Sequence, residues 1–245
     1  MGHVYKDSFF NYIDLSSSRS AQHFLKVVEF PFEVNTILDV GCGRGAWLVE
    51  WGKLNKSIFG VDGAYVDSDS LLISKLNFSH QDISKKFSLN KSYDLVQCLE
   101  VAEHLKAEDS DILITNLVNH GNIILFSAAI PGQGGEFHVN EQPLNYWVKK
   151  FEKQGYACFD FIRPQIVHEK MIEPWYRFNT LLFVKKDCGV VLNEKILNTK
   201  VNSEFNFNKL VSNLWLIRNS ILRILPDFMI NFIAKIKHYT IAMKK

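Results

Sequence analysis

The stretch that most constrains this chain is Ile37-Leu38-Asp39-Val40-Gly41-Cys42-Gly43-Arg44-Gly45. A short apolar strand runs straight into three alternating glycines, and Ala46–Leu54 then carries a helical pattern. Glycines at such a turn let the backbone approach a ligand closely. A strand, glycine turn and helix in this order is one way an open α/β sheet holds a nucleotide at the C-terminal ends of its strands.

The rhythm of the chain agrees with that architecture. Short apolar runs alternate with helix-patterned stretches from about Thr36 to Lys186, which implies a mostly parallel sheet wrapped by crossover helices. The expected strands are Thr36–Val40, Ser57–Val61, a weak Lys75–Ser79, Tyr93–Leu99, Asn122–Ser127, Tyr156–Ile162 and Thr180–Val184, seven in all. Helices are expected at Ala46–Leu54, Ser110–Asn119 and Leu144–Gln154, the last stopped by Gly155. Residues before Val34 read as cap helices, with Ser16–Ser20 as a loop or N-cap cluster.

A glycine turn alone does not choose between nucleotide ligands, because nicotinamide cofactors use one too. The second strand ends in Gly60-Val61-Asp62, followed by Gly63, and a carboxylate there can accept hydrogen bonds from both ribose hydroxyls. Two further features favour a different ligand: Asp39 just before the glycines, and Gln81-Asp82-Ile83 after the third strand, where an acid can bind an adenine amine.

Taken together, Leu38–Gly45, Asp62, Asp82 and Tyr93–Leu105 resemble the successive motifs of class I S-adenosylmethionine-dependent methyltransferases, over roughly Asn35–Lys186. The resemblance implies an α/β, Rossmann-like, seven-stranded, mostly parallel sheet with helices on both faces and the last strand antiparallel. It also implies S-adenosyl-L-methionine as cofactor and S-adenosyl-L-homocysteine as product. Asp39, Gly41, Cys42, Gly43 and Gly45 would line the methionine part, Asp62 and Gly63 the ribose, and Asp82 with Ile83 the adenine, while Glu100 faces the amino acid end. The expected division is 1–34 as N-terminal cap, 35–188 as methyltransferase domain and 189–245 as a helical, basic extension.

The acceptor side is read from Leu99-Glu100-Val101-Ala102-Glu103-His104-Leu105, which follows the fourth strand, and from the glycine-rich Ser127–Gln142, which has the hinges of a lid. A hydroxyl acceptor benefits from a base, and histidine titrates near neutrality. His104 and His138 are therefore the candidate bases, with Glu103 and Glu141 as their acidic neighbours. Capping a helix or bonding the backbone is the alternative for each histidine. Glu136, His138, Asn140, Glu141 and Gln142 are suited to reading sugar hydroxyls. Ligating a divalent metal is their lesser alternative and no metal site is assigned, because the acids are few and no aspartate pair ends the fourth strand. Arg163-Pro164 and Glu173-Pro174-Trp175-Tyr176 offer aromatics that either stack on a sugar or nucleotide or pack against the sheet edge.

The segment is similar to bacterial methyltransferases of surface-polysaccharide, capsule and other glycan assembly, which implies O-methylation of a sugar, nucleotide-activated sugar or glycan precursor. N- or O-methylation of another small molecule or a protein is the alternative. A nicotinamide-dependent oxidoreductase and a non-catalytic cofactor-binding protein are the readings of other classes. Nucleic acid is not expected as a partner: 28 Lys and Arg against 26 Asp and Glu leave a net charge of only +2, and no basic face marks the catalytic region. The four cysteines, Cys42, Cys98, Cys158 and Cys188, form no CxxC pair, which fits a reducing cytoplasm better than a disulfide framework. No signal peptide and no membrane-spanning run is read from the chain.

The positive excess is local. From Lys209 to the end there are seven cationic residues against Asp227 alone. Leu210, Leu214, Ile217, Ile221 and Ile224 recur there at helical spacing, with Asn213, Asn219, Ser220 and Arg223 on much of the other side, and a second helix-like segment follows Pro226. Residues 209–245 are thus expected either to touch an anionic membrane surface from the cytoplasm or to pack on their own domain or on a second subunit of a homodimer.

Overall fold

The computed structural model describes residues 7–226 and Met229, with side chains from Ile13 onward. Eight strands form one sheet: β1 (Thr36–Val40), β2 (Ser57–Asp62), β3 (Phe78–His80), β4 (Leu95–Leu99), β5 (Ile123–Ser127), β6 (Tyr156–Phe159), β7 (Leu181–Lys185) and β8 (Lys200–Val201). The helices are α1 (Asp7–Val27), α2 (Ala46–Lys53), α3 (Ser110–Val118), α4 (Leu144–Lys153), α5 (Arg163–Ile166), α6 (Pro174–Asn179), α7 (Glu194–Leu197) and α8 (Asn213–Leu222).

The strand order is β3-β2-β1-β4-β5-β7-β6-β8. Strands β1 to β5 are parallel, and β7 inserts antiparallel between β5 and β6. This is the Rossmann-like sheet with its antiparallel final strand. The chain turns back on itself between β1 and β4, so the cleft outside their C-terminal ends is where a ligand is expected.

The period of two along each strand explains why the sheet is covered on both faces. In β5, Ile124 and Phe126 enter one cluster with Leu113, Leu117, Trp147 and Phe151 of α3 and α4. Ile123 and Leu125 enter the other, with Phe24, Trp47, Leu48 and Trp51 of α1 and α2. Alternate side chains on opposite faces, both apolar, make a continuous hydrophobic run. Phe151 stacks on Phe183 of β7 with ring centroids 3.9 Å apart, and each such buried ring stabilises the fold by roughly 1.5–3 kcal/mol.

Four sequence expectations are corrected. The seven strands become eight, because Lys200–Val201 pairs with Phe159 and Cys158 at the sheet edge, and two residues carry too little periodicity to be read in advance. Ser16–Ser20 is neither loop nor cap: α1 runs through it, since Ser16 Oγ and Ser20 Oγ donate back to the carbonyls of Ile13 and Ser16 (3.1 and 2.7 Å) and so satisfy themselves within the helix. Only α1 forms the N-terminal cap among the described residues. The weak third strand begins at Phe78, behind a single 3₁₀ turn at Lys75–Asn77.

Gly60 sits where a Cβ would come 2.6 Å from Cys42 Sγ and 2.8 Å from Leu48 Cδ1. Gly60→Ala is expected to destabilise the protein by about 1–3 kcal/mol through overpacking, which thermal unfolding measures as a lowered midpoint; an unchanged midpoint would show that Cys42 and Leu48 yield freely.

Candidate active site

A cleft of about 1170 Å³ opens over the C-terminal ends of β1 to β4, with the segment after β5 on its wall. Its first half is built by the glycine turn. Gly41, Gly43 and Gly45 all hold positive φ, at 82°, 55° and 93°, which a side chain would oppose. A Cβ on Gly43 would meet nothing within 4 Å, so backbone there faces open space. Asp62 at the end of β2 anchors the turn: its carboxylate accepts from Gly43 N (2.6 Å), from Gly63 N (2.7 Å) and from the Tyr65 hydroxyl. Burial raises the Asp62 carboxyl above its ordinary range, while Tyr65 and the two amides pull it back.

Asp39 is also buried, and burial pushes its carboxyl up to about 7, with neighbouring Asp62 adding to the rise. Asp82 stays exposed; its bonds from Ser84 Oγ (2.6 Å) and Lys85 Nζ (3.1 Å) hold it below the ordinary carboxylate range. Arg44 turns away from the glycines to pair with Asp14 of α1 at 2.7 Å, fastening that helix over the cleft mouth.

The second half is built by the segments after β4 and β5. Glu100 has φ 58°, a left-handed conformation costly for a side chain with Cβ. Gln133 Nε2 donates to its carboxylate at 2.6 Å. Glu103 is 1% exposed, and burial beside Glu100 drives its carboxyl well up. The carbonyl of Glu103 accepts from Val139 N and Asn140 N (2.9 and 3.0 Å), which draws the glycine-rich segment across the cleft. His138 thereby meets His104 edge to face, with ring centroids 4.9 Å apart.

Glu141 lies behind His138: it accepts from Gly132 N and Gly134 N (both 2.7 Å) and bonds His138 Nδ1 at 2.8 Å. Its carboxyl is held below its usual range by His138 and these two amides, against the opposing effect of burial. Asn140 and Gln142 brace the segment, Asn140 Nδ2 donating to Ser110 Oγ (3.2 Å) and Gln142 Nε2 to Asn140 Oδ1 (2.9 Å).

Residues 16–133 match the methyltransferase-domain family profile. The match takes in just under half of the chain and, with the cleft described above, supports reading it as an S-adenosylmethionine-dependent methyltransferase. The methyltransferase is 23% identical over 204 residues to a ubiquinone biosynthesis O-methyltransferase of Hydrogenovibrio crunogenus, covering 74% of this chain and 75% of that protein. Similar solved structures include a glycopeptide N-methyltransferase complexed with S-adenosylmethionine, at 16% identity and TM-score 0.37, covering 48% of this chain and 57% of that one. Another is an S-adenosylmethionine-dependent methyltransferase of Clostridium acetobutylicum, at 14% identity and TM-score 0.49, covering 72% and 96%. The methyltransferase thus spans little more than half the length of the glycopeptide enzyme.

The cofactor fits the residues present. Open backbone at Gly43 and the acids Asp39, Asp62, Asp82 and Glu100 line one continuous cleft with Gly41, Cys42, Gly63 and Ile83, and its volume exceeds what one drug-sized ligand fills. Glu103, His104 and His138 line the same cleft further on. Gly45 does not line it; a Cβ there would press on Ile73 at 3.0 Å, and its role is to start α2.

The aromatic segments divide: Trp175 borders the methyltransferase cleft, whereas Tyr176, although on its wall, is buried against Trp47 at 5.1 Å between centroids and bonds Ser17. Arg163 is fully buried, bonding Phe207 O at 2.7 Å and pairing with Asp160, so it belongs to the core. Trp215, Arg218 and Leu222 of α8 were not anticipated as site residues, yet they line the cleft. Arg218 donates to Gln133 O at 2.7 Å, and α8 lies so close that a Cβ on Gly132 would stand 2.2 Å from Asn219 O. No short-range signal marks these residues, because the contact spans 85 residues of chain.

Asp39 gives the methyltransferase a proton signature. Its carboxyl rises from 3.8 unfolded to about 7 folded, so between those values the folded state binds the extra proton and stability falls as pH rises. A cation arriving at the methionine end favours the carboxylate. Calorimetry in buffers of different ionisation heat is therefore expected to show proton release on S-adenosylmethionine binding just below pH 7 and none well above it. Equal release in Asp39→Asn would assign the proton elsewhere.

Proposed function

We propose that the methyltransferase acts on a hydroxyl of a sugar, nucleotide-activated sugar or glycan precursor of bacterial surface polysaccharide. The observation that carries this reading is the convergence of Glu103, His104 and His138 where the cleft passes beyond Glu100. Bound beside them, S-adenosylmethionine supplies a methyl carbon activated by its sulfonium, and the chain's task is to hold the acceptor oxygen about 3 Å from it in line. His104 and His138 are placed to take the hydroxyl proton, and Glu141 fixes the His138 ring. Lys106, Gln133, Glu136 and Arg218 supply polar contacts, and Trp175 and Trp215 flat apolar faces, along the acceptor half; that mixture suits a sugar ring.

A second reading is a phenolic hydroxyl on a lipid-soluble ring, favoured by Trp215 and Leu222 in the wall and by the ubiquinone-biosynthesis relative. Transfer of labelled methyl into bacterial nucleotide-sugar, lipid-glycan and quinone-precursor fractions, with Asp62→Ala as blank, separates them. Label in either glycan fraction supports the first reading, and label confined to the quinone fraction replaces it with the second.

Among the described residues no helix is long and apolar enough to cross a membrane. The amphipathic segment leaves most of its apolar stripe outward: Asn219 and Leu222 face the domain, while Leu214, Ile217, Ile221 and Ile224 are exposed by 53–81%. The second helix-like segment, after Pro226, lies outside the described residues except Met229. We infer that this enzyme works in the cytoplasm and rests residues 209–245 on the anionic inner membrane surface, their apolar stripe and cations both engaged. Ile217→Glu with Ile221→Glu is expected to abolish sedimentation with phosphatidylglycerol vesicles while leaving S-adenosylmethionine binding intact. Undiminished sedimentation would contradict the membrane reading, and a concentration-dependent mass shift in its place would assign the stripe to a homodimer.

A further inference from the structure

The structure assigns a divalent transition-metal site to Glu103, His104 and His138 of the methyltransferase. This inference deepens the hydroxyl-acceptor reading and rests on it for its chemistry, though not for its test. One ligand atom from each of the three residues lies within 4.8 Å of the others. Donors at about 2–2.2 Å from one ion stand some 3 Å apart, so the site needs only an ångström-scale contraction of side chains.

Independent features of the surroundings point to a cation. Neither carboxylate oxygen of Glu103 meets a side-chain donor although the side chain is buried, the backbone amides of Glu103 and Ala129 easing it only in part, and a buried acid with no cation beside it is costly. The Glu141 carboxylate engages His138 Nδ1 at 2.8 Å, the partnership that orients a ligating imidazole and leaves the lone pair on Nε2. Gly135 keeps that nitrogen uncovered, since any Cβ there would stand 2.2 Å from Nε2. Two imidazoles and one carboxylate suit manganese, iron, cobalt or zinc, and disfavour magnesium and calcium, which prefer all-oxygen shells.

Three protein ligands leave positions for an acceptor hydroxyl. An oxygen on the ion gives up its proton more readily. The O–H bond breaks with its proton passing to solvent water, and the oxygen lone pair forms the new O–CH₃ bond as the sulfonium C–S bond breaks and leaves its electron pair on sulfur. The histidines then act as ligands rather than as the base itself.

The test uses full-length enzyme stripped with chelator and titrated with Mn²⁺, followed by electron paramagnetic resonance and calorimetry, with S-adenosylhomocysteine binding measured on the same samples. One equivalent of Mn²⁺ is expected for the wild type, with none measurable for Glu103→Gln, His104→Ala or His138→Ala. Glu141→Gln is expected to lose about tenfold in Mn²⁺ affinity, as an outer partner does. S-adenosylhomocysteine binding should persist in all four. Absence of stoichiometric Mn²⁺, Co²⁺ or Zn²⁺ binding to the wild type would overturn the site, as would binding unchanged in the variants. If Glu103→Gln fails to fold, His104→Ala on the less buried rim decides. Metal binding without S-adenosylhomocysteine binding would retain the site and remove the methyl-transfer reading.

Discussion

Asp62→Ala weakens S-adenosylmethionine binding by at least about a hundredfold, because hydrogen bonds to a charged group are worth about 1.5–3 kcal/mol each and more than one is lost. The carboxylate accepts from Gly43 N, Gly63 N and the Tyr65 hydroxyl together. Its removal deletes the proposed ribose acceptor and also releases the glycine turn whose backbone faces the cleft. Calorimetric titration measures the loss, and Asp62→Asn, which keeps one oxygen acceptor, is expected to fall between the two. Wild-type affinity in Asp62→Ala would place the cofactor elsewhere.

His138→Ala lowers kcat by about 10²–10⁴-fold, the range general acid–base residues contribute, while S-adenosylmethionine affinity changes by less than about threefold, the signature of a group that acts in the transition state. The geometry sets this expectation: His138 packs over the side-chain-free Gly135 and lines the cleft beside His104. The size of the loss is the same whether the ring takes the proton or holds an ion that lowers it. A variant that loses cofactor affinity and kcat together would show that His138 shapes the fold of the segment instead.

The sheet and the acids that line the cleft were legible in the sequence because both are written locally. Leu95, Val96, Cys98 and Leu99 alternate between two buried faces, and Asp39 near the end of β1, Asp62 at the end of β2 and Asp82 just after β3 all line one cleft. The acceptor half was legible only in part. His104 and His138 were recognisable as polar residues after strand ends, but their meeting depends on Val139 N and Asn140 N bonding the Glu103 carbonyl across 36 residues or more.

Glu141, read as part of the chemistry, is spent on Gly132, Gly134 and His138. Helix α8 shows the limit most clearly. Its apolar spacing left membrane contact and packing both open, and the face that packs is set by Arg218 and Asn219 over Gln133 and Gly132. Polar tertiary partners thus chose the face that the amphipathic pattern left open.

The central claim, methyl transfer to oxygen, is tested most directly by carbon-13 magnetic resonance of the product formed from S-[¹³C-methyl]adenosylmethionine. The account predicts one enriched resonance at an O-methyl shift, absent with Asp62→Ala and strongly reduced with His138→Ala. Enrichment at an N-methyl or S-methyl shift would contradict it.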